Sequence, residues 1–348
     1  MKKVYKAGIV GYGYMGQIRE RVIKDNPDME LVGICDAKQS LQESEKKCSI
    51  YKDYAALIRD DVDIIFVCTP NCYTPDIIIH SLEKGKHVFA EKPPGRIAAD
   101  IKRIREAELK KQDRKLMFGF NHRYHPGISE AKMLVERGDL GKILCIRGTY
   151  GKSGGEKFEQ SWRNSLKIGG GGILLDQGIH MLDLMRYFCG EFNEVKGFVS
   201  NLFWKFEVED NAFAIMKNRD NQIAMLHSSS TLWKHTFRLE IFLEKGYLII
   251  SGLLSKTGSY GREMLTIGKR QFESESFALG NPREEIIYFD QDRSWDLEVE
   301  YFLDCVKENK PITNSSSYDA LKVMELVEEI YKDSNICYGD KLKEEIVR

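Results

Sequence analysis

The sequence predicts a two-domain α/β protein. The N-terminal domain carries a parallel sheet covered by helices. The C-terminal α/β domain is built on an open, mostly antiparallel sheet. Three observations carry this prediction. Apolar strand-like runs alternate with helix-like runs through the first third of the chain. Gly11, Gly13 and Gly16 form a turn directly behind the first of those runs. From Ile143 onward, strand-like runs follow one another with few helices between them. Alternation of strand and helix implies a parallel sheet buried on both faces, and consecutive strands joined by short turns imply antiparallel pairing.

The 348 residues are enough for two cores, and 42% hydrophobic with 30% charged residues is ordinary soluble composition. A formal net charge of -1 gives no electrostatic footprint for nucleic acid and no polybasic membrane surface. Lys6 and the glycines behind it interrupt the start of the chain, so neither a leader peptide nor a membrane span is expected. The eight cysteines are scattered. Cys68 and Cys72 have no matching second pair, so they read as structural thiols of a reducing, cytoplasmic compartment rather than metal ligands.

In chain order, Tyr5–Val10 is the first expected strand, and a helix over Gly16–Lys24 ends at Asn26-Pro27. Leu31–Cys35 is the second strand, with Asp36 at its end. The apolar run Ile64–Cys68 suits a central strand and precedes a helix over Asp76–Lys84. His87–Ala90, a helix over Ala98–Lys110 and a strand over Leu116–Phe120 complete the pattern. In this setting the glycines acquire a purpose. Gly11 permits a tight turn, Gly13 lets the backbone approach a pyrophosphate, and Gly16 lets the helix pack close to the sheet. Tyr14 and Met15 lie inside that turn and count with Gly11 and Gly16 among the expected cofactor contacts. The implied fold is a Rossmann domain binding a dinucleotide. Asp36 stands 20 residues beyond Gly16, where a carboxylate would accept from ribose hydroxyls and repel a 2′-phosphate. That favours NAD over NADP, although Lys38 nearby offers a cation to a phosphate.

Thr69-Pro70-Asn71, with Thr74 three residues on, and Glu91-Lys92-Pro93 follow two strands at the end of the sheet where ligands bind. Pro93 and Pro94 stiffen the second of these segments, and Lys92 there could stabilise a developing alkoxide.

Beyond Asn121-His122-Arg123-Tyr124 the pattern changes, which divides the chain into residues 1–122 and 123–348. A helix over Ser129–Glu136 is stopped by Gly138. Strands are expected over Ile143–Tyr150, Val195–Phe203, Asn211–Met216, Gln222–Ser229, Arg238–Leu243 and Tyr247–Ile250. The helix expected over Leu174–Phe188 follows the glycines Gly169–Gly172. It carries Asp176 and His180 four residues apart, on one face of a regular α-helix. A histidine that titrates near neutrality suits a general base for a hydroxyl proton, and Asp176 could orient substrate or bias His180. Arg123, Tyr124, Trp162 and Arg163 are the other candidate substrate contacts, with His125 shaping a turn. Helices over Asp296–Val306 and Ala320–Tyr331 close the chain, the last one expected to pack across both domains.

Taken in order, these segments resemble the glucose–fructose oxidoreductase, inositol dehydrogenase and rhizopine catabolism family, written Gfo/Idh/MocA, over nearly the whole length. The resemblance implies a Rossmann domain followed by an open-sheet α/β domain, with a Lys, Asp and His site carried by Lys92, Asp176 and His180. It also implies a nicotinamide cofactor, substrates among sugars, inositols and their derivatives, and homodimers or homotetramers formed through the open sheet face. Thr74 stands where many such proteins have histidine. Two other readings keep the same residues: a glycoside hydrolase or eliminase that recycles its NAD, and a non-catalytic sensor of nucleotide or sugar.

Overall fold

A computed structural model of the chain describes residues 3–37, 48–155, 158–271 and 282–347. It divides into two units. One comprises Met1–Phe120, Lys167–Gly170 and Trp295–Glu325, and the other Asn121–Leu166, Gly171–Ser294 and Leu326–Arg348.

The first unit has a six-stranded parallel sheet in the order β3-β2-β1-β4-β5-β6. Its strands are β1 (Tyr5–Val10), β2 (Met29–Cys35), β3 (Ser49–Tyr51), β4 (Ile64–Val67), β5 (His87–Ala90) and β6 (Leu116–Phe118). The order reverses beside β1, which makes the outlet of β1 and β4 the natural crevice for a dinucleotide. All four residues of β4 are buried, as the continuous apolar run predicts for a central strand. Helix α1 (Tyr14–Asp25) buries Val22 and Ile23 against the sheet and stops where Asn26 and Pro27 follow. Phe66 stacks on Phe89 at 5.5 Å between centroids, and Phe302 from the helix Ser294–Lys307 meets Phe89 edge-on at 5.6 Å. Strand β3 and the short helix Tyr54–Arg59, capped by Asp53 on the Ala55 N–H, were not expected. Three residues of strand and six of helix are too few to display a period.

The second unit has an eight-stranded sheet in the order β14-β13-β12-β11-β7-β10-β9-β8. Six of its strands are β7 (Ile143–Gly151), β8 (Phe192–Ser200), β9 (Asn211–Asn218), β10 (Ile223–Ser229), β11 (Thr236–Leu243) and β12 (Gly246–Ser251). Pairing is antiparallel throughout except between β7 and β10. The sheet is therefore the open, mostly antiparallel one expected from sequence. Two outer strands escaped the sequence reading, β13 (Glu263–Lys269) and β14 (Glu284–Phe289), as did the helix Tyr338–Val347. β14 begins with two glutamates and is largely exposed, which suits an edge strand and weakens its apolar signal.

Two expected elements end differently. The strand expected to reach Phe203 stops at Ser200. The Asp210 carboxylate accepts the backbone N–H groups of Leu202, Phe203 and Trp204 at 2.8, 2.7 and 2.9 Å and curls them out of the sheet. The helix expected from Leu174 opens with a π turn over Leu174–Gly178, and a regular α-helix runs only from Ile179 to Cys189. The wider turn alters the phase between Asp176 and His180, so four-residue spacing does not by itself place them on one face. Among the described residues, no helix is long and apolar enough to cross a membrane.

Candidate active site

In the first unit the glycine turn has the geometry a pyrophosphate requires. Gly11 has φ +91, and a Cβ there would stand 2.5 Å from the Cys68 carbonyl oxygen. A Cβ on Gly16 would stand 2.3 Å from the Gly11 carbonyl oxygen, so the helix passes too close to the turn for any side chain. At Gly13 an added Cβ meets nothing within 4 Å, and no side chain caps the N-terminus of α1. Backbone N–H groups are thus presented to open space, an arrangement that fits an anionic pyrophosphate. Tyr14 is exposed and Met15 half-buried on the first turn of α1. Asp36, expected at the ribose, accepts the Tyr12 N–H at 2.7 Å and so fastens the turn. Lys38 lies outside the described residues.

Thr69 and Thr74 join their hydroxyls at 3.0 Å, which closes the turn around Pro70. Asn71, expected at the cofactor, is nearly buried and donates from Nδ2 to the Gly169 carbonyl at 2.6 Å. Arg96 donates to the Lys167 carbonyl at 2.8 Å, so both residues fasten the Lys167–Gly170 segment within this unit. Glu91 is likewise turned inward. Its carboxylate takes the Arg19 Nε at 2.7 Å, and Arg19, wholly buried, reaches Glu298 at 2.6 Å. Lys92 follows Glu91 and is half-buried between it and the buried Pro93, across a cis peptide.

In the second unit the π turn and the start of the following helix carry Asp176 and His180. The Asp176 carboxylate lies between two cations, Lys152 Nζ at 2.8 Å and Arg163 Nε at 3.2 Å. The Arg163 guanidinium also covers the Trp162 ring at 4.5 Å, so the Trp-Arg pair acts as one support beside Asp176. A recess next to Asp176 is lined by Lys152, Arg163, Phe158, Phe206 and Glu209. Glu209 is 2% exposed and accepts the N–H groups of Gly172 and Leu174, each at 2.9 Å, and the Tyr331 hydroxyl at 2.8 Å. Burial outweighs these donors and pushes its carboxyl up to about 7.

His180 is 4% exposed and stacks on His122, with centroids 3.7 Å apart. Tyr150 stands beside this pair, and Tyr260 beside Tyr150. Burial, and then each other's presence, raises the Tyr150 hydroxyl well above its ordinary value. Tyr260 is pushed up to about 12, again chiefly by burial. Gln177 donates to the Tyr260 hydroxyl at 2.7 Å.

Arg123, expected at the substrate, is buried instead in a two-pronged pair with Asp183, Nε at 2.8 Å and Nη2 at 2.6 Å. Tyr124 ends the same short helical turn, half-buried. His125 is buried and pairs with Glu263 at 2.8 Å. Lys152, Glu209, Tyr150 and Tyr260 were not singled out from sequence. Lys152 had a visible signal, a lone cation directly after a long strand, whereas Glu209 had none.

Residues 5–120 match the model of an oxidoreductase family with an NAD-binding Rossmann fold, and residues 128–249 match the model of the GFO/IDH/MocA C-terminal domain. The chain belongs to the GFO/IDH/MocA family. It is similar to the myo-inositol 2-dehydrogenase of Thermotoga maritima, 29% identical over 72% of this chain and 77% of that protein. The inositol 2-dehydrogenase of Salmonella typhimurium is 24% identical over 90% of this chain and 89% of that protein. Among solved structures, levoglucosan dehydrogenase in complex with NADH and levoglucosan has the same fold, with a TM-score of 0.84 at 20% identity over 96% of this chain and 98% of that one. This GFO/IDH/MocA member is an NAD-dependent dehydrogenase, and its parallel-sheet unit is the NAD-binding domain.

Proposed function

We propose that the protein oxidises, reversibly, a secondary hydroxyl of a sugar, an inositol or a related cyclic polyol. The observation that carries this reading is the nearly buried imidazole of His180, four residues beyond an aspartate held by two cations, in a dehydrogenase whose relatives are named for inositols and levoglucosan. Bound NAD supplies the redox chemistry. The chain supplies position and charge. His180 takes the substrate's hydroxyl proton, Lys92 stabilises alkoxide character on that oxygen, and Asp176 with Arg163 and Trp162 orients the ring. The glycine turn with Tyr14 and Met15 receives the pyrophosphate, Asp36 the ribose hydroxyls, and Thr69 and Pro70 line the nicotinamide side. Glu91, Asn71 and Thr74 shape the cofactor's surroundings through the contacts described above, and Arg123 supports the core through Asp183 while Tyr124 remains a substrate contact.

Turnover of a panel of inositols, hexoses and anhydrosugars, followed by NADH absorbance, tests this reading. His180→Asn should lower the rate roughly 10²–10⁴-fold with cofactor affinity unchanged. A folded variant with near-normal turnover would remove His180 as the base. Product formed without net NADH would instead favour a recycling hydrolase or eliminase.

Eight scattered cysteines fit the reducing cytoplasm. The exposed Phe198, Phe213, Ile215, Ile223 and Met225 share one face of β8, β9 and β10, which supports a homo-oligomer formed through that face. Sedimentation of the purified protein as a monomer would refute the oligomer.

A further inference from the structure

Three strands of the second sheet end at one level. Gly151 of β7 is the register partner of Ser229 of β10, Ser229 that of Asn211 on β9, and Asn211 that of Ser200 on β8. The loops that leave Gly151, Ser229 and Ser200 therefore start side by side. They bring Lys152, Ser230 and Phe206 to the recess beside Asp176, where Phe158 also stands. From there a run of aromatic rings leads outward. Phe158 meets Phe206 and Trp204 edge-on, with centroids 5.5 and 5.3 Å away. Phe203 meets Trp204 at 5.1 Å and Trp233 at 4.8 Å, again edge-on. The run begins in the recess and ends on the surface, where Phe203 is 53% and Trp233 58% exposed.

Hydrogen bonds and backbone geometry hold these rings in place. The Asp210 carboxylate fastens the Phe203 and Trp204 N–H groups, and Trp204 Nε1 donates to the Ser230 carbonyl at 3.1 Å. Asn201 accepts the Lys205 N–H at 2.9 Å and donates to the Phe206 carbonyl, which closes the same loop. Gly154 has φ +69, and a Cβ there would stand 2.2 Å from Trp204 Cζ2, so the segment after Lys152 lies directly on the indole. Trp233 has φ +53, a left-handed backbone that bulky residues rarely adopt. Strain of that kind collects at ligand clamps, and exposed apolar patches collect where something binds. The assembly face of β8–β10 is made of strand residues, whereas Phe203 and Trp233 stand on loops beyond the strand ends. Because the run is continuous with the recess, a molecule that fills the recess and extends past it meets Phe203 and Trp233 next.

Resting on the reading that the Asp176 side takes a sugar or polyol ring, we propose that Phe203 and Trp233 form a second subsite that takes a further sugar ring. The preferred ligand is then a glycoside of two or more rings rather than a free monosaccharide. The C–H faces of a pyranose are apolar and slightly positive, and the face of an aromatic ring is negative, so the two stack. The hydroxyls around the sugar's edge stay in water. A wholly apolar ligand would need an enclosing pocket, whereas these rings offer open faces. A large, rigid ring on a fixed loop also loses little conformational freedom when the ligand lands on it.

The test compares methyl β-glucoside with methyl β-cellobioside and methyl β-maltoside, and methyl β-galactoside with methyl β-lactoside, by NADH formation on the full chain. At least one two-ring glycoside should exceed its one-ring counterpart in kcat/KM by roughly 10-fold. Trp233→Ala and Phe203→Ala, both at exposed positions, should bring that ratio close to one, while Trp233→Phe, which keeps a ring face, should retain most of it. Calorimetric titration of His180→Asn with the same sugars, NADH present, needs no turnover and should show the same preference in Kd. No preference for any two-ring glycoside in turnover or binding, or a preference that both alanine variants keep, would overturn the subsite. Alanine variants that keep the preference and sediment as smaller species than the parent would give the rings to a contact between subunits, and overturn it too. One-ring glycosides oxidised with no gain from a second ring would sink the subsite and leave the sugar-oxidising reading standing. Two-ring glycosides bound through Trp233 but never oxidised would keep the subsite and sink that reading.

Discussion

Two buried glutamates hold the two turns that present the proposed catalytic side chains, and they do so by different electrostatic means. Glu91 precedes Lys92 and is held by the wholly buried Arg19, which also reaches Glu298. Burial works against the charge on Arg19, but Glu298 and Glu91 together outweigh it, so the guanidinium is held more firmly protonated than usual. Glu209 fastens Gly172 and Leu174, just ahead of Asp176, with uncharged donors alone. There burial prevails, and the carboxyl rises to about 7. Three neutral hydrogen bonds do not offset the burial of the Glu209 carboxylate. The turn before Lys92 is thus held by ion pairing, whereas the turn before Asp176 rests on a group that titrates near neutrality.

The largest effect should come from removing the cation. Arg19→Met leaves Glu91 and Glu298 buried without it and should cost about 3–5 kcal/mol in the first unit. Trp295, whose ring lies 5.1 Å from the Arg19 guanidinium, reports the unfolding if the three other tryptophans are changed to Phe. A loss below about 1 kcal/mol would mean that the ion pairs do not hold the turn.

A smaller effect should appear at Glu209 as a dependence on pH. The unfolded carboxyl ionises near its ordinary value of 4.5, while the folded one keeps its proton to about 7. Its contribution to stability is therefore fully present at low pH and falls as pH rises between those values, by about 3 kcal/mol in all. Glu209→Gln should flatten that part of the stability profile between about pH 4.5 and about pH 7, measured by denaturant unfolding. An unaltered profile would place the Glu209 titration outside this window and end the contrast with Glu91. The smallest effect belongs to Tyr331→Phe, which removes one of three donors. It should cost about 1 kcal/mol and move the Glu209 transition to still higher pH, because that hydroxyl favours the ionised carboxyl. A transition that moved downward would show that Tyr331 serves the protonated form instead.

Much of this molecule is legible residue by residue. The Rossmann sheet follows from short apolar runs separated by helical ones, and the glycine turn from three positions where a side chain would collide or bar a phosphate. The roles of Arg123 and Asn71 were not legible. Each is a polar residue at a segment end, where substrate and cofactor contacts also occur, and only the positions of Asp183 and the Gly169 carbonyl show where their donors go. The π turn was hidden because the apolar pattern of Leu174–Phe188 reads as one continuous helix, while Glu209, far along the chain, holds its start.

The order of strands and helices, the dinucleotide turn and the open second sheet were thus determined by the sequence itself. They arise from backbone sterics and apolar periodicity, which act between residues a few positions apart and leave a repeating trace. The tertiary structure decided which buried charges meet, that Arg19 stands between residues 72 and 279 positions away, and that His122 lies against His180. Coulombic attraction and ring stacking depend on distance in space, and no local spacing in the chain records that distance.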